Sequence, residues 1–231
     1  MMAQSFIQKT LSVGPLQCNC QILVCPDTLD TVLIDPGEDA PKIIQAIEKI
    51  ESELSAKKAG SKLNIKALLH THAHFDHIAA TKKVKEHFQN APQIFLHKED
   101  EFIYHQLPLQ GQMFGFQFSA PAAVDQFVQD EQEMKLGSLK LSVIHTPGHS
   151  PGGVCFRLHS DTARSIPETV FTGDTLFRES IGRSDLWGGN ESQLVKSIRS
   201  RLFTLDDDTC AWPGHGPKTS IGHEKKNNPY S

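Results

Sequence analysis

The stretch "HTHAHFDH", residues 70–77, places four histidines and one aspartate within eight positions. Imidazole nitrogens and carboxylate oxygens are the donors that hold borderline divalent cations. Ligands for one such site seldom come from a single segment, so partners are expected elsewhere. Three further segments qualify: "HTPGHSPGG" (145–153) with His149, "FTGDTLF" (171–177) with Asp174, and "WPGHGP" (212–217) with His215. In each, proline or glycine closes an extended run. Proline cannot continue a ladder, and glycine permits a sharp turn that presents the next side chain beyond the sheet edge. Donors carried on rigid strand ends are what a preorganised cation site requires.

The pattern H-x-H-x-D-H supplies His72, His74, Asp76 and His77, and the later segments add His149, Asp174 and His215. A catalytic zinc takes three protein ligands and keeps one position for water. Seven donors exceed one ion and suit two divalent ions with one carboxylate shared. Zinc fits this donor set best, and iron or manganese also use it. Two such ions can hold a hydroxide at about neutral pH and polarise a carbonyl, which is the chemistry of hydrolysis. Asp76 and Asp174 are then the carboxylates at the catalytic centre. His70 and His145 sit in strand patterns and read as packed or supporting groups. His87, His97, His105, His159 and His223 have no partners in the sequence and read as ordinary.

The positioning elements follow from periodicity. Strands are expected near 4–12, 16–25 and 31–35. A helix follows, capped by Asp39, with Pro41 in its first turn and a stripe of Ile43, Ile44, Ile47, Ile50 and Leu54. In "LQCNCQILV" the alternation puts Cys18 and Cys20 on the buried face of a strand, where thiols act as small hydrophobes. "IKALLH" is a buried strand running into the histidine cluster, residues 78–88 are helical, and "QIFLH" is another strand. Residues 105–124, rich in Gly, Pro and Phe, are expected to form a long loop. Its Met113, Phe114, Phe116 and Phe118 either line a substrate entrance or pin the loop to the body. Strands near 125–129, 139–145, 152–158 and 168–173 lead to a helix over 191–203, capped by Asn190 with Leu194, Val195, Ile198 and Leu202 inward. A strand near 209–212 and a short tail complete the chain. Many strands with three or four helices, and no repeat or linker, indicate one α/β domain over residues 1–231.

Bulk composition narrows the function classes. A net charge of −4 over 231 residues disfavours nucleic-acid binding through overall basicity. No apolar run reaches the length of a signal peptide core or a membrane span, so no membrane association is expected. Five cysteines without a CxxC pair suit reduced thiols in the cytoplasm.

Taken together, "THAHFDH…TPGHSPG…FTGDTLF…PGHG" resembles the metallo-β-lactamase superfamily over residues 31–228. "GDTLF" followed by "IGRSDL", and the tail "PGHGPKTSIGHEKKNNPY", resemble its short bacterial glyoxalase II-like (hydroxyacylglutathione hydrolase-like) members. The resemblance implies a four-layer αββα sandwich of two mixed sheets with the metals at one edge. It implies that His72, His74 and His149 hold the first ion, that Asp76, His77 and His215 hold the second, and that Asp174 is shared. Asp35 in "LIDPGED" matches the aspartate that supports the site from behind. The implied reaction is cleavage of an acyl thioester such as S-lactoylglutathione by a hydroxide bridging the metals.

The longer glyoxalase II enzymes carry Gly-Lys-x-Tyr where this chain has Gly182-Arg183-Ser184-Asp185. Arg183 is the expected anchor for a substrate carboxylate, held bidentately. No counterpart to the helical C-terminal region of those enzymes is expected, and Lys225 and Lys226 read as a solvated tail. Two other activities fit the same fold. One is a mononuclear non-haem iron persulfide dioxygenase using His72, His149 and Asp174, and the other is a lactone or other ester hydrolase. A metal-stabilised binding module is the non-enzymatic alternative, against which seven donors argue because a structural site closes with four. The partner expected is a small molecule, and the oligomeric state is left open.

Overall fold

The computed structural model describes residues 6–162 and 166–231. Positions 4 and 5 of the first expected strand lie outside that range. The chain begins with β1 (Ile7–Val13), β2 (Cys18–Val24), β3 (Asp30–Ile34) and helix α1 (Ala40–Lys57). β4 (Asn64–Leu69) leads through residues 70–74 to α2 (Phe75–Ile78) and α3 (Thr81–His87), then β5 (Gln93–His97). Two short helices, α4 (Glu101–His105) and α5 (Leu107–Met113), precede β6 (Gln126–Val128). The second half contains β7 (Glu133–Leu136), β8 (Leu139–His145), β9 (Val154–Leu158), β10 (Thr169–Gly173) and the ribbon β11 (Leu176–Phe177)–β12 (Ser180–Ile181). Helix α6 (Glu191–Ser197) continues as a π turn (Ile198–Leu202), followed by β13 (Cys210–Pro213), β14 (Thr219–Ser220) and α7 (Ile221–Asn227).

Two six-stranded sheets result, β1-β2-β3-β4-β5-β6 and β14-β13-β10-β9-β8-β7. Each mixes orientations: β3, β4, β5 and β6 run parallel, as do β10 and β13, while the remaining pairs are antiparallel. Strand alternation divides the apolar residues between layers. On β2, Cys18, Cys20, Ile22 and Val24 face α1 and its neighbours, with Ile43, Ile47, Ile50 and Leu54 opposite. Leu23 on the other face meets Leu141, Val143, Phe156 and Phe171 of the second sheet. The outer face of that sheet, through Ile144, Cys155, Val170 and Ala211, packs on Leu194, Ile198, Leu202 and Ile221. The order is helices, sheet, sheet, helices: the αββα sandwich.

Three expectations need correction. Residues 105–124 are not one long loop, because α5 occupies Leu107–Met113. Pro108 sits in its first turn, where no amide bond is lost. Gly111 faces Phe116 and Phe118 so closely that a Cβ would lie 2.6 Å from the Phe118 ring. Phe116 and Phe118 pack against the core beside Phe75, whereas Met113 and Phe114 are exposed. Asp39 precedes α1 but makes no side-chain cap; its carboxylate accepts the Gly14 amide at 2.9 Å. The tail is not simply solvated. It forms α7, where Lys225 donates to the Leu205 carbonyl and Asp207.

Candidate metal centre

Both sheets deliver their strand ends to one rim. β3 leads into Asp35, β4 into residues 70–74, β8 into the loop holding His149, β10 into Asp174 and β13, through Gly214, to His215. Parallel pairing of β3 with β4 and of β10 with β13 brings those C-terminal ends side by side. Two tight approaches need glycine. A Cβ at Gly37 would lie 1.7 Å from the Asp76 carbonyl oxygen, and one at Gly214 would lie 2.3 Å from Asp174 Oδ1.

All seven expected donors converge. His74 Nδ1 lies 2.8 Å from His149 Nε2, which lies 3.1 Å from His72 Nε2. A second cluster joins His215 Nε2 to Asp76 Oδ2 at 3.0 Å and to His77 Nε2 at 3.3 Å. Asp174 stands between them: Oδ1 is 3.4 Å from His77 Nε2, and Oδ2 is 3.7 Å from both His149 Nε2 and His215 Nε2. With the ring protons of His72 and His149 on Nδ1, their two Nε2 lone pairs face each other across 3.1 Å, an arrangement that a cation between them would relieve.

The opposite ring nitrogens explain why these lone pairs point inward. His149 Nδ1–H donates to the Arg183 carbonyl at 2.6 Å, and His215 Nδ1–H to the Leu16 carbonyl at 2.9 Å. His77 Nδ1–H meets Asp35 Oδ2 at 3.0 Å. The Thr71 hydroxyl donates to the same carboxylate oxygen at 2.7 Å and so accepts from His72 Nδ1–H at 3.0 Å. Four of the five rings thus have one nitrogen tied to an acceptor and Nε2 free to ligate, as in metal sites generally. Asp174 Oδ1 is buried with no hydrogen-bond partner among the described residues, which fits an oxygen left for a cation, while Oδ2 lies 3.7 Å from both His149 and His215. The residues present therefore fit a pair of divalent ions.

Electrostatics separate the clusters. Burial, aided by the neighbouring imidazoles, holds His72 well below the ordinary histidine value and His74 down at about 3. For His77 burial lowers it, but the neighbouring Cys18 and the carboxylates of Asp76, Asp174 and Asp35 outweigh burial and raise it. His215 is raised despite burial by its bond to Asp76. Asp174 and Asp76 lie below the usual carboxylate range: the nearby imidazoles overcome burial. Cys18 Sγ lies 3.6 Å from His77 Nδ1, and burial pushes that thiol up to about 12.

Arg183 reaches the rim of the first cluster through its carbonyl, while its guanidinium forks onto Asp185 at 2.7 and 2.8 Å. A cavity of about 320 Å³ beside His215 is lined by Phe177, Arg178, Glu179, Gly216 and Pro217. Asp100 and Gln110 were missed by sequence reasoning. Asp100, wholly buried, accepts the Ala73 amide (2.9 Å), the Ser150 hydroxyl (2.8 Å) and the Gly152 amide (2.6 Å). It thereby ties the loop of His72 and His74 to the loop of His149. Gln110 on α5 accepts the Phe75 amide and donates to the carbonyls of Ala73 and Ile103. Partners that are mostly backbone groups leave no motif to read.

Residues 13–215 match the family model of the Metallo-beta-lactamase superfamily. The chain is 36% identical over 222 residues to a protein of Haemophilus influenzae named hydroxyacylglutathione hydrolase GloC, covering 95% of each. Among solved structures, it is similar to the BLEG-1 B3 metallo-beta-lactamase (TM-score 0.82, 32% identity, 97% and 99% covered). TTHA1623 in a di-iron-bound form is also similar (TM-score 0.80, 32% identity, 96% and 100% covered). With strand-end donors from both sheets meeting at one rim, and that match spanning most of the sequence, the chain belongs to the metallo-β-lactamase superfamily.

Proposed function

We propose that this protein is a dinuclear metal-dependent hydrolase cleaving an acyl thioester such as S-lactoylglutathione. The observation that carries the reading is the convergence of His72, His74 and His149 on one side of Asp174, and Asp76, His77 and His215 on the other. The relative named hydroxyacylglutathione hydrolase supports the thioester class. Two divalent ions, zinc foremost with iron or manganese also suited, would supply an activated water and polarise the acyl carbonyl. The protein's own part is positioning. Asp35, Thr71 and the carbonyls of Arg183 and Leu16 hold four imidazoles in one tautomer. The cavity beside His215 offers room for part of a small-molecule substrate, and Arg183 stands where a substrate carboxylate could compete with Asp185 for the guanidinium.

Similarity to the BLEG-1 B3 metallo-beta-lactamase favours a second reading, hydrolysis of a lactam, lactone or other ester at the same centre. Elemental analysis of the purified protein, run beside a panel of S-lactoylglutathione, lactones, β-lactams and glutathione persulfide, separates these. Two ions per chain and a kcat/KM for the thioester at least about tenfold above the other substrates are expected. One iron per chain with oxygen uptake on persulfide would overturn the hydrolase.

A further inference from the structure

A second group of donors gathers where the two sheets meet, away from the centre. His97 ends β5 in the first sheet, His145 ends β8 in the second, and Glu99 lies in the 3-10 turn Lys98–Asp100 that follows β5. One ligand-capable atom of each lies within 4.8 Å of the others. The two imidazoles stack with centroids 4.1 Å apart and planes 21° from parallel. Glu99 Oε2 lies 3.8 Å from His145 Nε2. Both rings are part-buried and Glu99 is exposed, so solvent reaches the group.

We propose that His97, Glu99 and His145 form an accessory site for a borderline divalent cation of the zinc class, linking the two sheets. Two imidazoles and one carboxylate are an established zinc donor set. His145 Nε2 lies 3.8 Å from Glu99 Oε2 and 3.0 Å from the Pro151 carbonyl, so a cation would take that nitrogen by displacing the Pro151 contact, with the ring proton on Nδ1. His97 Nδ1 receives the Glu99 amide at 3.4 Å, the weak end of the hydrogen-bond range, and can exchange that contact for an ion. Stacked rings send their lone pairs out in parallel, so one ring must turn to close on a shared ion. Imidazole χ2 is a broad torsion that permits this. Charge favours occupancy as well. Lys98 is engaged with Glu101 rather than Glu99, and burial together with His145 holds His97 below its ordinary value and neutral.

The site is built into the same scaffold as the centre without touching it. Glu99 precedes Asp100, and Pro151 adjoins Gly152, the amide that Asp100 holds. A cation here would therefore brace the loop that carries His149.

The experiment titrates Zn2+ into metal-loaded wild-type protein and the variants His97→Ala, His145→Ala and Glu99→Gln, reading bound ions per chain by equilibrium dialysis and Tm alongside. The wild type is expected to take up one ion more than either alanine variant, and Glu99→Gln to weaken that extra ion at least about tenfold. Added zinc should raise the wild-type Tm more than theirs. Hydrolytic activity before titration should match the wild type in His97→Ala and Glu99→Gln. The comparison concerns a difference between chains, so it stands or falls separately from the proposed activity. Should His145→Ala fail to fold because it frees Pro151, His97→Ala and Glu99→Gln carry the same comparison. Equal stoichiometry and equal Tm shifts in wild type and variants would overturn the site.

Discussion

The two donor clusters are built differently. The first, His72, His74 and His149, is 1%, 7% and 3% exposed, and its loops are cross-tied by Asp100 and Gln110. The second depends on His215, whose side chain is 26% exposed and whose ring is held by one carbonyl in the hairpin turn between β1 and β2. Burial keeps two imidazoles of the first cluster neutral, while nearby carboxylates favour protonation in the second. A cluster whose loops are buried and cross-tied is preorganised for its ion. One with an exposed, charge-loving member should exchange its ion more readily.

Removing the group common to both clusters should have the largest effect. Asp174→Ala is expected to lose both ions and about 10³-fold or more in kcat, read by elemental analysis and thioester turnover. Retention of two ions would break the assignment of Asp174 as the shared ligand. His215→Ala comes next and sharpens the contrast: it should release one ion and leave the other, with activity down about 10²-fold. Loss of both ions would mean that the clusters are not separable.

Asp100→Ala tests the bracing itself. It should weaken the first-cluster ion by about 10–100-fold and destabilise the fold by about 3 kcal/mol, because three buried donors lose their acceptor. A competition titration with a chelator and a denaturation curve check both. Acid should then reveal the difference in protonation. As pH falls, protons compete first at His77 and His215, which lie above the ordinary histidine value, and only later at His72 and His74, which lie below it. A pH titration of bound metal should show two steps, the second-cluster ion leaving first. The smallest effect is expected at Arg183→Ala, a KM increase of about fivefold with kcat nearly held. Equal losses in kcat and kcat/KM would move Arg183 from anchoring to transition-state work.

The seven donors were legible because each sits at a strand end marked by its own local chemistry: H-x-H-x-D-H after a buried strand, and Pro-Gly or Gly punctuation before His149, Asp174 and His215. Strand alternation likewise placed Cys18 and Cys20 in the core. What escaped notice lacked a local signature. Asp100 lies in the acidic run "HKEDE", and only the folded chain shows that it is buried against three donors from two distant loops. Helix α5 hid behind Pro108 and Gly111, residues that usually signal a loop but here serve the first turn and a close ring contact. His97 and His145 looked unrelated because they belong to different sheets, and tertiary pairing alone stacks them.

Anomalous diffraction from crystals of the zinc-loaded protein tests the central claim most directly. The expected result is two peaks at the rim, one about 2.1 Å from nitrogens of His72, His74 and His149, the other equally near His77 and His215, with Asp174 reaching both. A single peak at one cluster, or no peak within ligand distance of these side chains, would contradict it.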